Sequence, residues 1–148
     1  MAERTEGTID IAATAEEVMA VITDFDAYPQ WAGVKTAEVL TVYEDDDLPA
    51  EVAMSVSQMG VDAAYTLAYE YGEDPTSVSW TTVEASGAVR DVQGEYVLEP
   101  EGEGTTVTYR LALELTISLP GFLRRQAERQ VISTALGGLK RRVEGGRS

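Results

Sequence analysis

The groups able to do chemistry in this sequence are carboxylates, phenols, aliphatic hydroxyls, amines and guanidinium groups, because the chain contains no His and no Cys. Without imidazole the commonest general base and metal ligand is missing, and without thiols there is no cysteine nucleophile, disulfide or thiolate site. The charged residues considered within predicted strands are Glu84, Arg90, Asp91, Glu95 and Arg110. Adjacent Arg90 and Asp91 point to opposite strand faces, and Arg110 alternates away from Tyr109. Since such charges usually form a solvated face, the sequence assigns no catalytic residue, no metal site and no cofactor.

The aromatic residues are a second set of interest, and they predict a pocket. The chain has seven Tyr and two Phe, an unusual ratio for a dry core, because each buried phenol needs a hydrogen-bond partner that a wet pocket can supply. Met54 and Met59 flank the same region as an adaptable wall. The pocket residues predicted from this pattern are Met54, Tyr65, Tyr69, Trp80, Tyr96 and Tyr109. The alternative is plain core, since aromatic stripes of period two are commonly cross-strand pairs.

The N-terminal elements follow from short patterns. Alternating polar and apolar residues predict a strand over Glu6–Ala12, and Thr14 with Glu17 forms a capping box that begins a helix of about ten residues, ending near Asp24. The next stretch, residues 26–31, is predicted to be irregular, because Pro29 lacks an amide hydrogen and restricts Tyr28 to extended geometry.

The middle of the chain has a hydrophobic period close to two, broken by Gly, Pro and Asp turn signals. Short connections between successive strands favour an antiparallel meander, since parallel neighbours need long crossovers. The predicted strands are Thr36–Tyr43, Ala50–Gln58, Ala63–Tyr71, Ser77–Glu84, Val89–Glu99 and Thr105–Ser118.

A long helix is predicted to begin at Pro120-Gly121. Its apolar residues recur every four positions, and Ile132 and Leu136 widen the stripe. The stripe comprises Leu123, Ala127, Val131, Ala135, Leu139 and Val143. Gly137-Gly138 interrupts this helix, either for close packing against the sheet or to leave room for a ligand or a kink.

These elements predict an α+β fold in a single domain over residues 1–148. About seven antiparallel strands form a curved sheet wrapped around the C-terminal helix, with a short helix after the first strand. Because a helix is narrower than such a sheet, a cavity lined by apolar groups and occasional hydroxyls is expected where the two diverge.

The net charge of −15 argues against nucleic acid as a partner, because phosphate neutralisation needs a basic surface. The segment from Leu123 to Ser148 carries a net charge of +5 and the remainder −20. This distribution predicts a basic helix face attracted to an acidic body, or else an anionic docking surface. No apolar run is long enough for stable membrane insertion and the first residues are too polar for a signal peptide, so a cytoplasmic location is expected. The oligomeric state stays open.

Several motifs give the chain a family resemblance. The matching segments are Ala15-Glu-Glu-Val18, Phe25-Asp-Ala-Tyr-Pro-Gln-Trp31, Leu119-Pro-Gly-Phe-Leu123, and Ala135-Leu-Gly-Gly-Leu-Lys140 with Glu144. The chain resembles the START-like (SRPBCC) superfamily of helix-grip, START/Bet v 1-like proteins, in particular the polyketide cyclase/dehydrase and coenzyme Q-binding branch. The resemblance implies a deep cavity for lipids, isoprenoid quinones or polyketide-like aromatics, with Tyr28 and Trp31 near one end and the Gly137-Gly138 region along its lid. With these and two helix residues, the predicted ligand-binding set is Tyr28, Trp31, Met54, Tyr65, Tyr69, Trp80, Tyr96, Tyr109, Ile132 and Leu136.

Three functions follow as hypotheses. The first is binding or transport of a hydrophobic small molecule in the cavity. The second is a cyclase, aromatase or dehydratase acting on a poly-β-keto chain by orienting it and moving protons with Tyr, Arg or carboxylate groups. An inward carboxylate or Arg beside a Tyr distinguishes the second from the first. The third is a ribosome-associating interaction protein, which the acidic composition disfavours.

Overall fold

The computed structural model describes residues 5–45, 47–58, 61–72, 76–116 and 120–145. The predicted alternation of elements is present along the whole described chain. The strands are β1 (Thr5–Ile11), β2 (Thr36–Val42), β3 (Pro49–Gln58), β4 (Val61–Tyr71), β5 (Ser77–Gly87), β6 (Val89–Glu101) and β7 (Gly104–Leu115), and the helices are α1 (Ala15–Ile22), α2 (Tyr28–Trp31) and α3 (Gly121–Gly145). The predicted end of the last strand at Ser118 lies outside the described residues.

All seven strands form one antiparallel sheet in the order β1-β7-β6-β5-β4-β3-β2. Each strand from β2 to β6 pairs with its successor in the chain, and β1 forms an edge of the sheet by pairing with β7. Burial alternates residue by residue along β6 and β7, so one face is apolar and the other is solvated. The predicted α+β fold, a curved sheet around a C-terminal helix, is confirmed.

Helix α3 packs on the concave face of the sheet through its C-terminal half. Ala135, Leu139 and Val143 of the predicted stripe are buried, together with the predicted Ile132 and Leu136. The N-terminal half differs from the prediction, because the side chains of Leu123 and Val131 are more than a third exposed and the fully buried residue there is Glu128.

The burial of Glu128 has a polar explanation. Its carboxylate accepts hydrogen bonds from the Thr5 hydroxyl at 2.5 Å and from the Leu113 amide at 2.8 Å. A buried carboxylate is tolerable when such donors replace water. Glu128 therefore joins α3 to both β1 and β7.

The N-terminal capping prediction is confirmed, since the Thr14 hydroxyl accepts from the Glu17 amide at 3.2 Å at the start of α1. The prediction that residues 26–31 are irregular is wrong. A 3-10 turn over Phe25–Ala27 leads into the single-turn helix α2, and Tyr28 is helical with φ −53° and ψ −40°. Pro29 is accommodated because it lies in the first turn, where amides need no helical partner. Tyr28 is fixed there by a hydrogen bond from its hydroxyl to the Ile22 carbonyl.

The alternatives for Gly137-Gly138 are separated by the packing. A Cβ on Gly138 would overlap the Trp31 carbonyl oxygen, so this glycine permits close contact between α3 and α2. A Cβ on Gly137 would meet only the Arg141 guanidinium, at 3.4 Å. Close packing therefore explains Gly138 and leaves Gly137 without a structural requirement.

Candidate functional site

The concave face of the sheet and α3 enclose a cavity of about 190 Å³. Its walls come from β3 to β7, α2, α3 and the segment 32–34. An apolar cavity of about 150 Å³ is known to hold benzene, so this one matches a single aromatic ring or several carbons of a chain. Seven of the ten predicted binding residues line it: Tyr28, Met54, Tyr65, Tyr69, Trp80, Tyr96 and Tyr109.

Three predicted residues lie outside the cavity lining. Trp31 is buried against Tyr28 in an edge-to-face contact, with ring centroids 4.8 Å apart. Ile132 and Leu136 pack over Gly7 of β1, where the distance from Ile132 Cγ2 to a Cβ on that glycine would be 2.5 Å. They border a separate, more open groove between β1 and α3. Met59 lies outside the described residues.

The aromatic side chains form one continuous cluster along the inner face. Phe25 below α1 contacts Tyr69, with centroids 4.8 Å apart, and Tyr69 contacts Trp80 at 5.7 Å. Trp80 continues to Tyr96 at 5.5 Å, and Tyr96 meets Tyr109 at 4.6 Å in an edge-to-face arrangement. All four centroid separations lie in the contact range of aromatic pairs, and the Tyr96–Tyr109 pair has the preferred edge-to-face arrangement. The cluster therefore fixes the rings that form most of the cavity wall.

The tyrosine hydroxyls give the cavity its polar character. Within the described part of the chain we find no hydrogen-bond partner for the hydroxyls of Tyr65, Tyr69, Tyr96 and Tyr109, in contrast to that of Tyr28, which donates to the Ile22 carbonyl. Buried phenols usually have a partner. These four hydroxyls are therefore available to water or to a ligand.

Burial keeps these phenols protonated. It raises the pKa of Tyr65 to about 12 and raises the pKa values of Tyr28, Tyr69, Tyr96 and Tyr109 as well. Around Tyr69 and Tyr109 the proximity of the other phenols raises the pKa further, because two phenolates would repel each other. At neutral pH the cavity therefore presents uncharged groups that can both donate and accept hydrogen bonds.

The mouth of the cavity lies between α3 and the segment 32–34. Gln130, Val131 and Thr134 of α3 line the cavity and are exposed, and the Gln130 side-chain amide donates to the Thr134 hydroxyl at 3.5 Å. Gly33 has φ +78°, and a Cβ there would be 3.0 Å from Thr134 Cγ2. Glycine at this position thus lets the segment approach α3 closely. The polar rim was not predicted, because on the sequence Gln130 and Thr134 look like ordinary solvated helix residues.

The charged strand residues considered from the sequence lie outside the cavity lining. On the outer face the Arg110 guanidinium contacts Glu6 at 2.6 Å and Glu95 at 3.1 Å, and these hydrogen bonds raise the pKa of Arg110. Arg90 is exposed and lies 3.5 Å from Glu114. The outward direction predicted for Arg110 is confirmed.

The valines of the cavity wall were also missed, for a local reason. Val89 and Val92 of β6 both line the cavity although three positions separate them. The strand pairing shifts between Val89 and Asp91, a β-bulge that turns both side chains to the same face. Strict alternation, on which the sequence prediction depends, cannot anticipate such a shift.

Two further observations concern metal-binding side chains and membrane-spanning helices. In residues 5–45, 47–58, 61–72, 76–116 and 120–145 there is no group of three or more His, Cys, Asp or Glu side chains placed to hold a metal ion. No helix in this part of the chain is long and apolar enough to cross a membrane.

Comparison with known proteins assigns the family. The sequence profile described as "Polyketide cyclase / dehydrase and lipid transport" matches residues 2–144. The chain belongs to this family. The resemblance to START-like polyketide cyclase/dehydrase proteins is therefore confirmed, whereas the link to the coenzyme Q-binding branch stays a prediction. A search of curated proteins finds no match.

Solved structures of other family-like proteins share the fold. A START superfamily protein from Mycobacterium smegmatis superposes with a TM-score of 0.88 at 22% identity, covering 97% of this chain and 98% of that one. The Zhui aromatase/cyclase from Streptomyces sp. R1128 superposes with a TM-score of 0.71 at 17% identity, covering 97% of this chain and 94% of that one. A STAR-related lipid transfer protein from Xanthomonas axonopodis superposes with a TM-score of 0.70 at 22% identity, covering 94% of this chain and 84% of that one. At these identities the likeness concerns the fold.

Proposed function

We propose that this member of the family binds an uncharged, hydrophobic small molecule between the sheet and α3 and acts as a binding or carrier module. The observation that carries the proposal is a set of four tyrosines in the aromatic cavity wall, Tyr65, Tyr69, Tyr96 and Tyr109, for whose hydroxyls we find no partner among the described residues. A ligand carbonyl or hydroxyl group would complete their hydrogen bonding, and its carbon skeleton would contact the surrounding rings.

The composition of the wall supports an uncharged ligand. The described residues of the lining include no carboxylate, amine or guanidinium group, and the raised pKa values keep the phenols neutral. A charged ligand group buried there would lose its hydration without gaining a counter-ion, at a cost of several kcal/mol. Lipids, quinones and polyketide-like aromatics with a neutral buried end satisfy this constraint.

The family description and the fold of the Zhui aromatase/cyclase also favour a second function, the cyclisation of a poly-β-keto chain. In this cavity the described proton-transfer groups would be phenols. Their raised pKa values keep them protonated at neutral pH, so they would not act as general bases and would instead donate hydrogen bonds to a developing enolate oxygen. Incubation with a poly-β-keto thioester and mass analysis for a cyclised or dehydrated product distinguishes this function from simple binding.

The first test of binding is native mass spectrometry of freshly purified protein, followed by solvent extraction and identification of any bound molecule. We expect a neutral, largely hydrophobic compound with at least one oxygen. A protein that carries no such compound, and that gains no thermal stability from quinones, lipids or aromatic ketones, contradicts the proposal.

A second test isolates the hydroxyls. Acetophenone and α-methylstyrene have nearly the same shape, and only the first has a carbonyl acceptor. We expect the triple variant Y69F/Y96F/Y109F to lose about two- to twelvefold in its preference for acetophenone, the equivalent of ~0.5–1.5 kcal/mol for one hydrogen bond. Because the two ligands have nearly the same shape, a change in cavity volume affects both dissociation constants equally and leaves their ratio unchanged. An unchanged ratio would show that the phenols do not recognise the ligand.

A further inference from the structure

Trp80 lies at the centre of the aromatic wall and crosses several strands. It belongs to β5, faces the cavity, and pairs directly with Gly94 of β6. Its indole contacts Tyr69 of β4, Tyr96 of β6 and Tyr109 of β7, the last with centroids 5.6 Å apart in an edge-to-face arrangement. A single side chain thus covers the inner face from β4 to β7.

Gly94 allows the indole to take this position. A Cβ on Gly94 would lie 2.6 Å from Trp80 Cζ2 and 2.9 Å from Cε2, closer than real Cβ atoms approach carbon. It would also lie 2.7 Å from the Arg110 carbonyl oxygen. Glycine inside a strand weakens the strand and commonly marks such a close approach. The indole therefore leans across β6 against the backbone, where a side chain on residue 94 would push it away from the sheet.

The sheet itself changes at this pair. The registered pairing of β5 with β6 runs from Ser77–Val97 to Trp80–Gly94. Beyond it, the Thr82 hydroxyl accepts from the Val92 amide at 2.7 Å and donates to the Val92 carbonyl at 3.0 Å. A side chain thus replaces the strand-to-strand hydrogen bonds, and Val92 is in the cavity wall. This part of the cavity wall therefore lies where the registered pairing of β5 with β6 ends.

We propose that the Trp80–Gly94 pair determines the largest ligand that the site accepts. The inference rests on the proposed binding function and deepens it. With the indole against the sheet, the cavity of about 190 Å³ accepts the equivalent of one aromatic ring. A smaller side chain at residue 80 extends the cavity over Gly94 toward Leu111, its partner on β7, and admits a second ring.

The test uses three neutral ketones of increasing size: acetophenone, 2-acetylnaphthalene and 2-acetylanthracene. Dissociation constants are measured for the wild type, for W80L, and for W31F as a control that removes the other, non-lining indole. We expect W80L to shift the preference from acetophenone toward 2-acetylnaphthalene by about tenfold or more relative to the wild type, and W31F to leave the preference unchanged. If the ratios of the dissociation constants for the three ketones are the same in the wild type and in W80L, the inference is overturned.

The role of Gly94 is tested with G94A and with G94A/W80L. We expect G94A to weaken binding of all three ketones, because the displaced indole occupies the cavity, and we expect the double variant to recover the preference of W80L. If G94A does not fold, owing to the Arg110 carbonyl oxygen, the comparison of wild type with W80L decides the inference. A folded G94A with wild-type binding shows that Gly94 does not hold the indole in place.

The outcomes also separate the two proposals. A wild type that binds acetophenone, with preferences unmoved in W80L, overturns the size limit and leaves the binding function supported. Failure of both proteins to bind any of the three ketones overturns the binding function and with it the size limit. Binding by W80L alone supports the size limit.

Discussion

At the scale of single residues, the tyrosines of this protein divide into two kinds. The hydroxyl of Tyr28 donates to the Ile22 carbonyl and holds the segment after α1 in place. Tyr96 lines the cavity, and we find no partner for its hydroxyl within the described residues. A hydroxyl of the first kind contributes to stability, whereas one of the second kind is available to a ligand.

This division predicts opposite results for two identical substitutions. Tyr28→Phe leaves the Ile22 carbonyl without its donor and is expected to lower the free energy of unfolding by about 1–3 kcal/mol. Tyr96→Phe removes a hydroxyl for which the described residues provide no partner, and we expect a change within about 0.5 kcal/mol. Urea denaturation of both variants measures the difference. Equal losses of stability would mean that Tyr96 has a structural partner after all.

At the scale of elements, α3 is held to the rest of the fold by close contacts of two kinds. Gly138 lets its backbone approach the Trp31 carbonyl of α2. Two carboxylates of the same helix accept hydrogen bonds from backbone amides outside it. Glu128 accepts from the Leu113 amide of β7, and Glu144 accepts from the Ala12 amide just after β1. The helix is thus fixed along its length, which is a requirement for a cavity that it covers.

The two neighbouring glycines of α3 give a matched pair of variants. Alanine stabilises an exposed helix position by about 1 kcal/mol relative to glycine. We expect this gain for Gly137→Ala, where a Cβ meets only the Arg141 side chain, and a loss of stability for Gly138→Ala, where it meets backbone of α2. Thermal unfolding of both variants gives the sign of each effect. A stabilised G138A would show that α2 moves away from the helix without penalty.

The two carboxylates of α3 form a second pair. Glu128→Ala leaves the partly buried Leu113 amide and the Thr5 hydroxyl without their acceptor and is expected to cost about 2–3 kcal/mol. Glu144→Ala exposes the Ala12 amide to water, and we expect less than about 1 kcal/mol. Chemical denaturation compares them. Similar values for the two variants contradict the anchoring role of Glu128.

At the scale of the whole molecule, the buried phenols couple folding to alkaline pH. Burial raises the pKa of Tyr65 to about 12 and the pKa values of Tyr28, Tyr69, Tyr96 and Tyr109 above their usual range. Unfolded tyrosine ionises near pH 10, so the unfolded chain loses protons that the folded chain keeps. The stability from these groups is complete below pH 10 and decreases as the pH rises from 10 through the folded-state values.

We therefore expect the free energy of unfolding to fall above pH 10 by up to about 1.4 kcal/mol per pH unit for each buried phenol. Parallel titrations followed by tyrosinate absorbance and by circular dichroism check this. The absorbance change of the buried phenols should accompany the loss of structure. Ionisation of all seven tyrosines near pH 10 in a folded protein would show that the cavity is open to solvent.

The sequence predicted the parts of the molecule that depend on local patterns. The Thr14 cap, the period-two strands and the C-terminal half of α3 all follow from residues close to one another in the chain. The burial of Glu128 could not be predicted, because its partners Thr5 and Leu113 lie 123 and 15 positions away.

The same distinction holds for the candidate site. Its tyrosines were predicted because a phenol is an uncommon choice for a dry core. The contact of Trp80 with Gly94 and the bulge before Val92 depend on how neighbouring strands meet. Sequence periodicity contains no information on either feature, so the shape of the cavity wall at these residues could not be predicted from the sequence.

The pairing of β1 with β7 has a consequence for the order in which the chain folds. Strands β2 to β7 form successive hairpins, whereas β1 pairs in the described sheet with β7, Thr5 opposite Leu111, and packs against α3. During synthesis β1 must therefore wait for its partner until β7 has left the ribosome. Contacts so distant in sequence slow folding. The hairpins are expected to form first, and the apolar residues of β1 to become buried only when β7 and α3 are in place.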